Sequence, residues 1–137
     1  FNTAVVHVPN VRIMGAGAGK TKLVGSLVVV RGVKGCFVSG VSIMCSRGAG
    51  VDLSGRGTQL ELSECRVADC DGSGVVAGEG SECTLVGCVV EKNQAHGITG
   101  NGACTHIMVA DTEVRYNQAQ TRRKSRSRPA AGGNKKD

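Results

Sequence analysis

Residues 50–78 read GVDLSGRGTQLELSECRVADCDGSGVVAG, and this stretch begins and ends on the same short pattern. The pattern is a glycine, a short segment that starts with Val or Ile, and a second glycine. It occurs at Gly50–Gly55, recurs at Gly74–Gly78 after 24 residues, and recurs at Gly97–Gly100 after a further 23. A fixed spacing of this kind is typical of repeat proteins, in which each unit stacks on the next.

Other positions recur with the same period. One aliphatic set comprises Ile43, Val67, Val90 and Val114, and a second set of segments starts at Val38, Leu62, Leu85 and Val109. Each unit contains short alternating segments, and none of these segments is long enough to be a helix. We therefore predict an all-β fold of about five coils, with 23–24 residues per coil and parallel strands stacked about 4.8 Å apart.

Turn residues also align between units. Residues 91–95, EKNQA, match residues 115–119, RYNQA, so that Asn93 and Asn117 occupy equivalent corners. We expect their side chains to form a ladder of two rungs, because Cys70 holds the equivalent position one coil earlier. The same spacing places Cys65 over Cys88, and we interpret the cysteines as small buried hydrophobic residues rather than as metal ligands or a disulfide framework.

A stretch near the start, GAGAGKT at residues 15–21, looks like a phosphate-binding loop. The nucleotide motif needs a glycine at the position of Met14, and it needs a helix after Thr21. The sequence that follows is rich in glycine and β-branched residues, which favour strands and turns. We therefore predict a tight loop between two strands of the first coil.

Residues 11–23, VRIMGAGAGKTKL, and residues 28–43, VVVRGVKGCFVSGVSI, resemble the opening coils of right-handed parallel β-helix proteins. This is the pectin-lyase-like superfamily, which includes the repeats of carbohydrate-binding proteins and sugar hydrolases. The resemblance covers residues 5–119. It implies a right-handed solenoid, and it implies protein recognition as one function, since some F-box proteins carry similar repeats.

The charge is unevenly distributed along the chain. Residues 1–120 hold ten Lys or Arg and ten Asp or Glu, whereas residues 121–137 hold seven Lys or Arg and only one Asp. We predict a β-helix body at 1–120 and a disordered basic tail at 121–137. Nucleic acid or the nuclear-import machinery could contact the tail through Arg122, Arg123, Lys124, Arg126 and Arg128. No run of 18 apolar residues occurs, so we expect no membrane span.

Catalytic side chains would lie along the outward columns of the predicted coils. The columns are Val28–Asp52–Val76–Thr99, Phe37–Glu61–Thr84–His106 and Ser42–Arg66–Val89–Glu113. None of them stacks two carboxylates, although glycosidic hydrolysis needs two carboxyl groups about 5–10 Å apart. The nearest acidic group comprises Asp69, Asp71 and Glu91, close to a turn, and is a candidate surface site. We expect no catalytic residue, no metal and no cofactor.

Three functional hypotheses follow. The first is a non-catalytic binding or scaffold module for a protein partner, in an intracellular setting, either cytoplasmic or nuclear. It includes self-association through the solenoid ends, or continuation into a longer protein. The second is a fragment of a polysaccharide lyase or glycoside hydrolase that acts on acidic carbohydrate. The third is contact with nucleic acid through the basic tail alone.

Overall fold

Glycine and small polar residues divide the chain into short strands, three to each turn of the solenoid. The computed structural model describes residues 2–45, 47–102 and 105–117, and in these ranges it contains strands and no helix. The strands are β1 (Asn2–Val6), β2 (Arg12–Met14), β3 (Lys22–Val29), β4 (Cys36–Ser39), β5 (Ser42–Met44), β6 (Val51–Leu53), β7 (Gln59–Ser63), β8 (Arg66–Ala68), β9 (Val75–Ala77), β10 (Glu82–Val86), β11 (Val89–Glu91), β12 (Ile98–Gly100), β13 (His106–Ala110) and β14 (Glu113–Arg115).

The strands stack into three parallel sheets. Sheet A runs β1-β3-β6-β9-β12, sheet B runs β2-β4-β7-β10-β13, and sheet C runs β3-β5-β8-β11-β14. Strand β3 belongs to two sheets, because Lys22–Val24 pair with β5 whereas Leu27–Val29 pair with β6. The described chain therefore makes five turns of a parallel solenoid, as the repeat predicted.

The core consists of aliphatic columns that run along the stack. In sheet C, Ile43 pairs with Val67, Val67 with Val90, and Val90 with Val114. In sheet B, Val38, Leu62, Leu85 and Val109 are joined in the same way. Leu62, Val67 and Val90 are completely buried, so the predicted columns are confirmed. Burial of such side chains stabilises the fold by about 1.5–3 kcal/mol each.

Left-handed backbone recurs at two corners of the later coils. Between sheets B and C, Gly40, Glu64, Gly87 and Asp111 have φ of 70°, 54°, 65° and 50°. After sheet C, Asp69, Lys92 and Tyr116 have φ of 57°, 60° and 55°. Non-glycine residues enter this region at a cost, so their recurrence at equivalent positions shows that the stack fixes the corner geometry.

The asparagine ladder forms as predicted, with two rungs. Asn93 is completely buried; its Oδ1 accepts a hydrogen bond from the amide of Cys70 at 3.0 Å, and its Nδ2 donates to Oδ1 of Asn117 at 2.9 Å. The amide of Asn93 also donates to Oδ1 of Asn117, at 3.1 Å. The ladder therefore satisfies backbone groups that the corner leaves outside the sheets.

The glycine-rich stretch at residues 15–21 is a loop between β2 and β3, which confirms the prediction. The amides of Lys20 and Thr21 both donate to the carbonyl of Gly17 at 2.9 Å, and the amide of Ala16 donates to Oγ1 of Thr21 at 2.8 Å. The loop therefore closes its own turn with these three amide donors, and the Thr21 hydroxyl oxygen and the Gly17 carbonyl are the acceptors.

Two of the three outward columns have the predicted register, and one is wrong in its last member. Thr84 pairs with Met108, whereas His106 pairs with Glu82. The pair Leu85–Val109, which was predicted correctly, is 24 residues apart, so the preceding residue Met108 lies beside Thr84. His106 was therefore assigned to this column two residues too early. The described column is therefore Phe37, Glu61, Thr84 and Met108.

Candidate interaction surface

The outer side of sheet B is a continuous surface of five stacked parallel strands. Its strands reach five residues in length, whereas most strands of sheets A and C have three. Side chains point outward from it in register because their neighbours form the buried column of Leu62 and Leu85. We define the sheet B face as the central column Arg12, Phe37, Glu61, Thr84 and Met108, with the flanking residues Met14, Ser39, Ser63, Val86, Gln59, Glu82 and His106.

A cation and an aromatic ring stack at one end of this face. The guanidinium carbon of Arg12 lies 4.8 Å from the centre of the Phe37 ring, which is a cation–π geometry. Two exposed methionines, Met14 and Met108, have 63% and 66% of their surface accessible and lie at opposite ends of the sheet. Aromatic, methionine and arginine side chains are the residue types enriched at protein interfaces.

The outer side of sheet C carries a charge ladder instead. Glu91 is buried, and its carboxylate accepts hydrogen bonds from Nε of Arg66 at 2.9 Å and from Nε of Arg115 at 2.8 Å. Arg115 also contacts the carboxylate of Glu113. The hydrogen bond and charge of Arg115, with those of Arg66, lower the pKa of Glu91. Sequence reasoning missed this ladder, although Glu91 and Arg115 are one period apart.

Replacing Glu91 with Gln should lower the free energy of unfolding by about 1–2 kcal/mol at pH 7. The folded-state pKa of Glu91 lies below its ordinary value, so its contribution is present above that ordinary value and is lost as the pH falls through the folded-state pKa. When the pH is lowered from 7 into the acid range, the free energy of unfolding measured with urea should therefore decrease less for E91Q than for the wild type. The control is Glu61→Gln at an exposed position, and its free energy of unfolding should fall with pH as much as that of the wild type. Equal falls in the free energy of unfolding of all three proteins would contradict the role of the ladder.

The structure places the three acidic candidates in different columns. Ala68 pairs with Glu91, so the next residue, Asp69, lies beside Lys92. The amide of Gln94 donates to the carbonyl of Cys70, which places Asp71 beside Gln94. Asp69 and Asp71 are exposed, whereas the carboxylate of Glu91 binds two arginines. A site formed by these residues stays a prediction.

Another carboxyl group, Asp52, lies on the outer side of sheet A. It pairs with Val28 in one direction and with Val76 in the other, and partial burial between these neighbours raises its pKa. Farther along the same column, Oγ1 of Thr99 is buried with no hydrogen-bond partner among the described residues. The sequence showed Asp52 in this column but gave no sign of its desolvation.

The basic residues Arg122, Arg123, Lys124, Arg126 and Arg128 lie outside the described residues, as does the whole predicted tail. Within the described ranges, no group of three or more His, Cys, Asp or Glu side chains has the geometry to hold a metal ion. The same ranges contain no helix with the length and hydrophobicity needed to cross a membrane.

Comparison with known protein families agrees with the parallel solenoid. The model of the family described as right-handed beta helix region matches residues 4–119. The match covers most of the chain, so the chain belongs to the right-handed β-helix family. No curated protein and no solved structure matched the chain.

Proposed function

We propose that this chain is a non-catalytic binding module that recognises an extended segment of another protein across the sheet B face. The observation that carries the proposal is the Arg12–Phe37 stack on the outer side of sheet B, with exposed Met14 and Met108 along the same surface. Binding energy at protein interfaces is concentrated in a few aromatic and arginine side chains surrounded by weaker contacts.

The dimensions of the face favour an extended partner. Five strands at a spacing of about 4.8 Å, each up to five residues long, give a surface of roughly 19 Å by 17 Å. A standard interface between two globular proteins buries about 800 Å² on each partner, which is larger than this face alone provides. An extended segment of about six residues spans the same length.

The charges of the face indicate the composition of such a segment. Along the central column, Arg12 is basic, Phe37 and Met108 are apolar, and Glu61 is acidic. A partner that places an acidic residue over Arg12, an apolar residue over Phe37 and a basic residue over Glu61 would match it. Complementary charges at an interface mainly set specificity and association rate.

Affinity capture with the full chain and two matched variants tests the proposal. Phe37→Ser removes the ring from the sheet B face, and Val89→Ser is a control at an outward, half-buried position on sheet C. We expect wild type and V89S to retain a stoichiometric partner, and F37S to lose it at least tenfold. A photo-crosslinking amino acid at Thr84 should label the same partner.

Three outcomes would contradict the proposal. Equal capture of the partner by F37S and the wild type would show that the sheet B face does not take part in recognition. Loss of every partner only when residues 121–137 are deleted would favour the hypothesis of contact through the basic tail. Depolymerisation of polygalacturonate by the chain, abolished by D69N, would favour the enzyme hypothesis instead.

A further inference from the structure

We propose that Cys65 and Cys88 form a redox modification site, at which hydrogen peroxide converts two stacked thiols into a disulfide between adjacent coils. Both residues precede strands of sheet C and lie at equivalent places in their coils. Arg66 pairs with Val89, and the amide of Val89 donates to the carbonyl of Cys65 at 3.0 Å. Cys88 therefore lies directly beside Cys65.

The spacing of the solenoid suits this bond. Adjacent parallel strands lie about 4.8 Å apart, and disulfides join residues whose Cα atoms are about 4.4–6.8 Å apart. Both side chains point inward, with 2% and 1% of their surface exposed, so the two sulfur atoms face the same interior space. The thiols have equivalent surroundings: Cys65 donates to the carbonyls of Ser63 at 3.3 Å and Val38 at 3.5 Å, and Cys88 donates to those of Leu62 at 3.4 Å and Val86 at 3.5 Å.

The surroundings give the two cysteines different roles. The interaction between the two neighbouring thiols lowers the pKa of Cys65 and raises the pKa of Cys88. Cys65 therefore supplies the thiolate, which is the reactive form of the side chain. Cys65 also follows Glu64, an exposed residue with left-handed backbone, so the reactive sulfur lies just beneath a surface corner.

The reaction proceeds in two steps. The Cys65 thiolate attacks one oxygen of hydrogen peroxide, the O–O bond breaks, and hydroxide leaves while Cys65 becomes a sulfenic acid. The Cys88 sulfur then attacks the Cys65 sulfur, the S–O bond breaks, and the Cys88 proton leaves with the hydroxyl as water. The hydroxide takes up the proton that Cys65 released, so two thiols and one peroxide give one disulfide and two waters.

Other cysteines in the same core provide internal comparisons. Cys45 and Cys70 are also neighbours, because the amide of Asp71 donates to the carbonyl of Cys45, but burial raises the pKa of Cys70 to about 11. Cys36 and Cys83 each pair with Leu60, so one coil separates them. Burial raises the pKa of Cys83 to about 12. We therefore expect Cys65–Cys88 to oxidise first.

Peptide mapping after peroxide treatment tests the inference. The full chain is used with Cys104→Ser, because Cys104 lies outside the described residues. Trypsin gives residues 57–66, which contain Cys65, and residues 67–92, which contain Cys70, Cys83 and Cys88. We expect peroxide to join these two fragments with loss of two hydrogens, and we expect C88S to reduce the joined product at least tenfold.

The variants C70S and C83S are matched controls and should form the joined fragments at the wild-type yield. Fragmentation of the joined product from the protein with Cys88 intact locates the bond directly, so the result does not depend on how well C88S folds. Failure of the fragments to join, or a bond from Cys65 to Cys70 or Cys83, would overturn the inference.

Discussion

Val90→Asp should unfold the chain or lower its free energy of unfolding by at least about 4 kcal/mol. Val90 is completely buried in the column between Val67 and Val114. A carboxylate there would lose its hydration, and its neighbours on both sides are aliphatic. A small domain is stable by only about 5–15 kcal/mol, so a loss of this size is visible in urea unfolding followed by circular dichroism.

The adjacent residue of the same type is the control. Val89 points outward from β11, half-buried, between Arg66 and Glu113. Val89→Asp should therefore change stability by less than about 1 kcal/mol, since the new carboxylate stays hydrated. Equal losses for V89D and V90D would show that the strand does not alternate between interior and surface.

Gly74→Val should lower the free energy of unfolding by about 3 kcal/mol, because the position has no room for a side chain. A Cβ atom at Gly74 would lie 2.8 Å from each of three atoms: Nδ2 of Asn93, the carbonyl oxygen of Gly97 and Cγ1 of Val90. The backbone of the next coil contributes one of these atoms, so the clash cannot be relieved by a side-chain rotation. The substitution also displaces Asn93 from its ladder, which leaves buried polar groups without partners.

The control for Gly74→Val is Gly19→Val. A Cβ atom at Gly19 meets no atom within 4 Å, and neither glycine has positive φ. Both variants add the same side chain, so the difference between their unfolding free energies reports packing between coils. Equal stability of G74V and G19V would contradict the close approach of the fourth and fifth coils at this corner.

Sequence spacing predicted the solenoid because the same side-chain types recur at a constant period. The column through Val67 and Val90 and the rungs formed by Asn93 and Asn117 could all be predicted, since each depends only on which residues are one coil apart. The column through Thr84 was wrong at its last member because His106 is only 22 residues from Thr84, whereas the true neighbour, Met108, keeps the 24-residue period of the adjacent Leu85–Val109 pair. The period was therefore sufficient to place this strand, and the error lay in one misassigned residue.

The candidate surface was harder to predict because it depends on which side chains share a face and how each is covered. The sequence placed Phe37 in an outward column, but the stacking of Arg12 on its ring was not predicted. Glu91 was predicted to join Asp69 and Asp71, whereas in the structure it binds Arg66 and Arg115. The contact with Arg66 crosses from one column to the next, so alignment along single columns could not reveal it.

The stacking of coils is the central claim, and methyl nuclear Overhauser measurements test it most directly. Val67 and Val90 are 23 residues apart in sequence, and Val90 and Val114 are 24 apart, yet each pair consists of direct neighbours in sheet C. We expect strong cross-peaks between the methyl groups of Val67 and Val90 and between those of Val90 and Val114. Cross-peaks from the Val90 methyl groups only to residues near in sequence, with none to Val67 or Val114, would contradict the solenoid.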